Sequence, residues 1–349
     1  MMKQLRHLLA YILVFPFVSF ANVYSQSVSK SFRQQSLSKW KVKPGNYSGI
    51  AKMDGNLYAV VSDKECNDGF YVFMIDIDSV NGKLKDADAI LFPCHVPEKQ
   101  SSSSASTDAE GIAYVPSLRT LFISDEGSQR IREYGANGHP TGRELLVPQC
   151  FSVDSIYSNF GFESLTYSRK DSLLWATTEH TLKADGRKSS YRNIVQSCLR
   201  LVSFNPVTLK PVSELKYKTE KPTVRYKGRN YAFGVVALAA LDDGRLLVLE
   251  REFHVSSRYL NSWVKHRIYA ISPDETDKEG SCVKHLVFSF KTNLNVLRHN
   301  LANFEGMCLG PRLKDGRQTV ILVSDSQANA GNKLFRMKDC IKILVLKDY

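Results

Sequence analysis

The chain has 349 residues, a formal charge of +12 from 47 Lys and Arg against 35 Asp and Glu, and seven cysteines. None of the cysteines falls in a C-x-x-C pair, which argues against a zinc or thioredoxin-like centre. No recognised nucleic-acid motif accompanies the positive charge, so nucleic acid is disfavoured as a partner.

At the N-terminus, Lys3, Arg6 and His7 precede an apolar run from Leu8 to Ala21. The run is short for a membrane span and has the layout of a signal peptide over residues 1–25. Cleavage is expected after Ala21 or Ser25, with Gln26 a candidate new N-terminus; an uncleaved anchor is the alternative. No cysteine stands at the junction to carry a lipid. The expectation is an exported protein, periplasmic or extracellular, whose residues 26–349 form one domain with no further membrane span. Removing Lys3 and Arg6 leaves a charge of +10. In an oxidising compartment Cys66 and Cys94, which flank one strand group, are the first pair to test for a disulfide.

Five passages then repeat along the chain: "YSGIAKMDGNLYAVVSD" (47–63), "AEGIAYVPSLRTLFISDE" (109–126), "FESLTYSRKDSLLWATTE" (162–179), "GVVALAALDDGRLLVLER" (234–251) and "FEGMCLGPRLKDGRQTVILVSD" (304–325). Each is an apolar run, a polar or glycine turn, and a second apolar run closing on an acid or hydroxyl. From Ser48 to Asp63, Glu110 to Asp125, Glu163 to Thr178 and Val235 to Glu250 the step is fifteen residues; from Glu305 to Asp325 it is twenty. Two more short strand patterns follow within each unit, such as "FYVFMIDID" then "DAILFP". Four strands per repeat at this period predict an all-β fold, a β-propeller of four-stranded blades. Five blades are visible, and the long interval 180–232 leaves room for a sixth, degenerate one. "QSSSSAST" (100–107) reads as a loop. "IKILVLKD" near the C-terminus is expected to pair with a segment around "SLSKWKVK" (36–43), closing the ring and hiding the last sheet edge.

Equivalent repeat positions converge at a propeller's axis. Glu110, Glu163 and Glu305 share one such position, with Ser48 and Val235 as uncharged exceptions; Asp63, Asp125, Glu250 and Asp325 share the other, with Thr178 beside Glu179. A single acid at a strand end can serve merely to accept turn amides, but aspartate, serine or asparagine would do that as well as glutamate. Gathered carboxylates repel one another and hold raised pKa values unless a cation compensates them. A divalent metal would do so, and calcium suits a set of oxygen ligands; Arg251 offers the same service without metal.

The phrase Gly306-Met307-Cys308-Leu309-Gly310 resembles a nucleophile elbow with cysteine for serine. An elbow needs a strand, a turn and a helix with a histidine downstream, whereas a turn and a strand follow here and the last histidine is His299. Cys308 is therefore read as one place in a repeat strand. His180 and His254 follow blade acids closely and are candidate substrate-side or general-base groups, or plain loop residues.

The phrases "SGIA", "DAEGIAY…LFISDEG", "NFGFESLTYS", "LLVLERE" and "NFEGMCLGP…ILVSDSQAN", in order from Tyr47 to Asn329, resemble the phytase-like, "esterase-like activity of phytase" family of exported bacterial proteins. The resemblance implies a β-propeller and hydrolysis of phosphoric or carboxylic esters. By similarity to β-propeller phytases, which hold several calcium ions at an acidic channel mouth, it implies metal ligation by Asp63, Glu110, Asp125, Glu163, Glu250, Glu305 and Asp325. Val235 and Thr178 depart from a full acidic ring.

Three readings follow. In the first, an ester hydrolase uses calcium-held carboxylates with Glu163, Glu305 and Arg251 as catalytic groups and Arg251, His180 and His254 facing the substrate. Its basic stretches 182–193 and 216–231 would favour a small anionic ester or an envelope glycan, although they also suit plain solvated loops. In the second, a non-enzymatic propeller binds a ligand or partner through loop aromatics such as Tyr191, Tyr231 and Tyr259. In the third, a lactonase-like hydrolase holds one channel metal with three or four of the acids.

Overall fold

The computed structural model describes residues 26–63, 69–90, 108–297, 299–327 and 337–347. The expected signal peptide, Cys66, Cys94 and the loop 100–107 lie outside them. Among the described residues the regular structure is strand, with three short 3-10 turns.

Five antiparallel sheets form the blades. The first four run from axis to rim through strands 47–52, 57–62, 71–77 and 84–90; 109–115, 120–125, 130–135 and 140–144; 162–168, 173–178, 198–204 and 211–218; and 230–240, 246–255, 262–276 and 282–294. The interval 180–232 therefore supplies the outer half of the third blade and the start of the fourth, not a sixth blade. In the fifth blade strands 303–312, 318–325 and 340–346 come from the C-terminal end, and Val28–Ser31 from the N-terminal end completes the sheet. Val28 pairs with Leu346, and Gln35 and Ser36 pair with Ile341 and Cys340. The closing segment thus lies a little earlier than "SLSKWKVK", most of which folds as the 3-10 turn Leu37–Trp40 and its exit.

Burial falls from axis to rim, as the strand sequences require. Inner-strand runs such as "QTVILVSD", with its apolar centre Val320–Val323, are covered on both faces by neighbouring blades and buried throughout. The third strand "YVFMIDI" alternates, exposing Met74 and Asp76, and the outermost "PTGRE" of the second blade is largely exposed. Asp-Gly turns close two inner hairpins. Gly244 and Gly316 take φ of 93° and 89°, which glycine adopts without steric penalty, and Leu241 N donates to Arg245 O at 2.8 Å across the turn.

The first strands pack against one another in a closed cycle of five. Small residues permit that approach: a Cβ on Gly49 would stand 2.3 Å from the Glu110 carbonyl oxygen, and one on Gly111 2.8 Å from Leu165 N. Gly306, Ser164 and Ala237 hold the same repeat place. One residue earlier every blade carries a β-bulge, at Ser48, Glu110, Glu163, Val236 and Glu305, where the inner pair shifts register. A bulge leaves one residue unpaired and re-aims its side chain.

Candidate active site at the carboxylate end of the channel

The bulges set a common register for the five blades. Counted from them, the second strand contributes Asp63, Glu126, Glu179, Arg251 and Asp325 at one repeat position. The backbone pairing agrees: Asp63 N donates to Asn46 O (3.4 Å), Glu126 N to Asp108 O (2.8 Å) and Glu179 N to Gly161 O (2.7 Å), while Gly234 pairs with Arg251 and Asn303 with Asp325. Asp125 and Glu250 sit one residue earlier, at the place of Ser62, Thr178 and Ser324, opposite Ala109 and Val235. Since successive strand residues face opposite ways, these two acids turn to other partners. Asp125 caps its own turn, accepting from Ser128 N at 2.7 Å, and lies 3.6 Å from Arg132. Glu250 accepts from Tyr217 Oη at 2.8 Å and Lys284 Nζ at 2.9 Å, between the third and fourth blades.

The structure brings Glu110, Glu163, Glu305, Asp63 and Asp325 together with two acids that counting along the sequence missed, Glu126 and Glu179. A count of fifteen slides one residue out of register where the hairpin turn is longer; the signal available was the terminal acid of "SDE" and "TTE", aligned on the small residue after the bulge. The inner-strand counterpart of the glutamates in the fourth blade is likewise Val236 rather than Val235.

One carboxylate oxygen each from Glu110, Glu126 and Glu163 lies within 4.8 Å of the other two, and the same holds for Asp63, Asp108 and Glu110. Glu110 is common to both groups. Glu110, Glu126, Glu163 and Glu305 are each no more than 9% exposed. Burial first, then the charges of Glu305, Glu126, Asp63 and Asp108, hold the Glu110 carboxyl well above the ordinary range. Glu163 is raised by burial and by Glu110, Glu179 and Glu126. Burial and Glu179 push Glu126 up to about 7, against the Gly161 N–H that donates to its Oε1 at 2.9 Å. For Glu305 burial again dominates and raises the carboxyl, although Arg251 opposes it.

Arg251 is the cation that pairs directly with these glutamates. Its Nη2 pairs with Glu179 and its Nη1 with Glu305, and Nη1 also reaches Asn303 Oδ1 at 3.2 Å. Burial alone would lower its pKa, but Glu179, Glu305 and Glu163 together hold it above the usual value. Its buried Nε has no hydrogen-bond partner among the described residues. Asn303 Nδ2 donates to Glu305 Oε1 at 2.8 Å and fixes the carboxylate from the other side.

The histidines stand apart from these pairs. His180 Nε2 accepts from Ser189 N at 3.1 Å and lies 3.2 Å from Ser197 Oγ, with Phe160 edge-on at 5.6 Å. Burial pushes its imidazole down to about 4, so it is neutral and anchors the loop 182–193. That loop carries Lys188, whose ammonium stands 3.7 Å from the Phe160 ring centroid and feels the Glu179 charge. His254 stacks on Trp263 and meets Tyr226 edge-on. Of the loop aromatics, Tyr231 donates to Glu252 at 3.4 Å, and Tyr191 and Tyr259 lie under Arg192 and Arg229. Cys308 is buried in the strand 303–312, and burial raises its thiol far from the reactive range.

The model of the phytase-like family, "Esterase-like activity of phytase", matches residues 43–327, most of the chain. The chain belongs to the phytase-like family. No curated protein matches it. Among solved structures, this phytase-like chain is similar to a luciferin-regenerating enzyme at 11% identity, covering 92% of this chain and 98% of that one with a TM-score of 0.42. It is similar to a member of the DUF4221 family from Bacteroides vulgatus at 10% identity, over 93% and 98% of the two chains, with a TM-score of 0.41. A nidogen/laminin complex follows at 11% identity, 81% and 73% coverage and 0.36. No helix among the described residues is long and apolar enough to cross a membrane.

Proposed function

We propose that this phytase-like protein is an exported, divalent-cation-dependent hydrolase of phosphate esters, working at the carboxylate end of its channel. The observation that carries the reading is the convergence of three buried carboxylate oxygens from two adjacent blades within 4.8 Å. That spread suits calcium, whose oxygen ligands stand about 2.3–2.6 Å from the ion. Glu179 and Glu305 already have Arg251. The set Glu110, Glu126 and Glu163 fits a cation better than it fits emptiness, because mutual repulsion and burial otherwise force protonation.

Glu110, Glu126 and Glu163 would hold one ion and Asp63, Asp108 and Glu110 a second. When bound, such an ion supplies Lewis-acid polarisation of a phosphoryl oxygen and a more acidic water. The chain's own residues do the rest. Arg251 fixes Glu179 and Glu305 in one orientation and adds positive charge where negative charge develops. The loop 182–193, with Lys188 beside Glu179, draws an anionic ester toward an otherwise acidic end. The role of His180 is to hold that loop. The test is hydrolysis of phytate and of aryl phosphate and carboxylate esters by purified protein, with added calcium and with chelator. Activity that calcium raises and chelator removes is expected; no activity in either condition refutes the reading.

A second reading is a binding propeller whose cation serves structure alone. The burial of all three glutamates favours it, since a substrate has little room to reach them. Here chelator lowers the melting temperature while no ester is turned over, and an anionic ligand stabilises the fold in proportion to its concentration.

A further inference from the structure

At its other end the same channel opens into a cavity of about 300 Å³. Its inner limit is the apolar ring one turn of strand beyond the bulges, Ile50, Ile112, Leu165, Leu238 and Met307. These residues separate it from the carboxylates, with room between for about one water (about 10 Å³). The walls are small at the next place, Ala51, Ala113, Thr166, Ala239 and Cys308, which is what leaves the volume open.

The polar groups at the mouth carry the opposite sign from those at the far end. Arg312 is neutralised by Asp242 at 2.5 Å. Lys52 and Arg169 also line the cavity, and among the described residues neither side chain forms an ion pair or hydrogen bond. Tyr167 lines the same cavity, while Tyr114 is engaged with Asp54 at 3.4 Å. Three cations, Lys52, Arg169 and Arg312, thus face one carboxylate, Asp242, whose charge reaches the half-buried Lys52 as well, and the mouth keeps a net positive charge over an apolar floor. A volume of this size is at the lower end of those that take small molecules.

We propose that this basic mouth binds a small organic monoanion with an apolar body, of the class of medium-chain aliphatic or aryl carboxylates. The apolar ring takes the hydrocarbon and Lys52 and Arg169 take the carboxylate. A polyanion fits poorly, because two cations cannot compensate it and the floor offers nothing polar. With no cation held there, as in chelator, the carboxylate end of the channel offers the same ligand no site, so binding is one-sided. This inference does not rest on hydrolysis or on a cation at the other end.

The probe is octanoate, titrated calorimetrically into the whole mature protein in chelator, with octanol and butyrate as neutral and short-chain comparisons. Saturable 1:1 binding is expected, at least tenfold weaker for octanol and for butyrate. The double variant Lys52→Met and Arg169→Gln, both partly exposed positions, should fold as the wild type by thermal melting and lose at least tenfold in octanoate affinity. Glu163→Gln, at the opposite end, should bind octanoate unchanged whether or not the protein proves to be a hydrolase. No saturable binding by wild type, or equal binding by the double variant or by octanol, overturns the proposal.

Discussion

The two ends of the channel are lined by the same five strands and differ in nearly every respect. At one end the bulged residues and their second-strand neighbours present Glu110, Glu163, Glu305, Glu126, Glu179, Asp63 and Asp325 around Arg251; at the other, four to seven residues along, stand Lys52, Arg169 and Arg312 with Asp242. Between them lies an apolar ring. The comparison teaches that a propeller's inner strand is read along its length: the bulge turns a side chain toward the axis, the small residue after it allows the strands to touch, and the next apolar residue seals the bore. Charge of opposite sign can then be kept on one axis without neutralising itself.

Arg251 gives the largest expected contrast. Arg251→Ala leaves Glu179 and Glu305 buried without their shared cation, a loss of about 3–5 kcal/mol. Lys52→Met at the other end, which breaks no ion pair, should stay within about 0.5 kcal/mol. Urea unfolding of the two variants checks this, and equal losses would remove the distinction between the ends.

pH separates the ends next. A carboxyl whose folded pKa is raised binds more protons folded than unfolded, so it favours the fold below its unfolded value of 4.5 and loses that advantage as pH rises toward about 7 for Glu126. In chelator, stability should fall between pH 4.5 and 7 by on the order of 3 kcal/mol from this group alone. Calcium should restore more stability at pH 8 than at pH 5. A flat profile in chelator would mean the carboxylates are compensated from within.

Smaller effects sharpen the map of the acidic end. Because Glu110 belongs to both carboxylate groups, Glu110→Gln should weaken calcium binding by about tenfold or more, and by more than Glu305→Gln does. Asp125→Asn and Glu250→Gln should leave the calcium isotherm unchanged, since both acids are engaged elsewhere. Cys308→Ala should leave calcium binding and any ester hydrolysis at the wild-type level, with a modest loss of stability from lost packing.

Much of this was legible in the residues. The fivefold phrase, its four-strand period and the pairing of the two chain ends follow from apolar patterning and turn chemistry, which act over a few residues and are written locally. So were Glu110, Glu163 and Glu305, because a bulge residue followed by a small one recurs in an unmistakable phrase. Asp125 and Glu250 were grouped with Asp63 and Asp325 because spacing along the chain counts residues, while the sheet counts hydrogen-bonded rungs. A hairpin turn one residue longer in the second blade, and a count begun one residue early at Val235 in the fourth, each shift the result by one, and one residue in a strand reverses the face. Glu126, Glu179 and the true place of Arg251 emerge only once the rungs are known.

The amino-acid sequence by itself determined that this chain forms a ring of four-stranded blades, five or six in number, and which residue types gather at its axis, because strand periodicity and repeat identity need no knowledge of distant contacts. Tertiary structure decided which acids share a site, that one arginine is shared between two of them, and that the opposite mouth is basic over an apolar floor. The reason is geometric: those facts depend on register between strands and on the closure of the ring, and both are set by pairing between residues hundreds of positions apart, such as Val28 with Leu346.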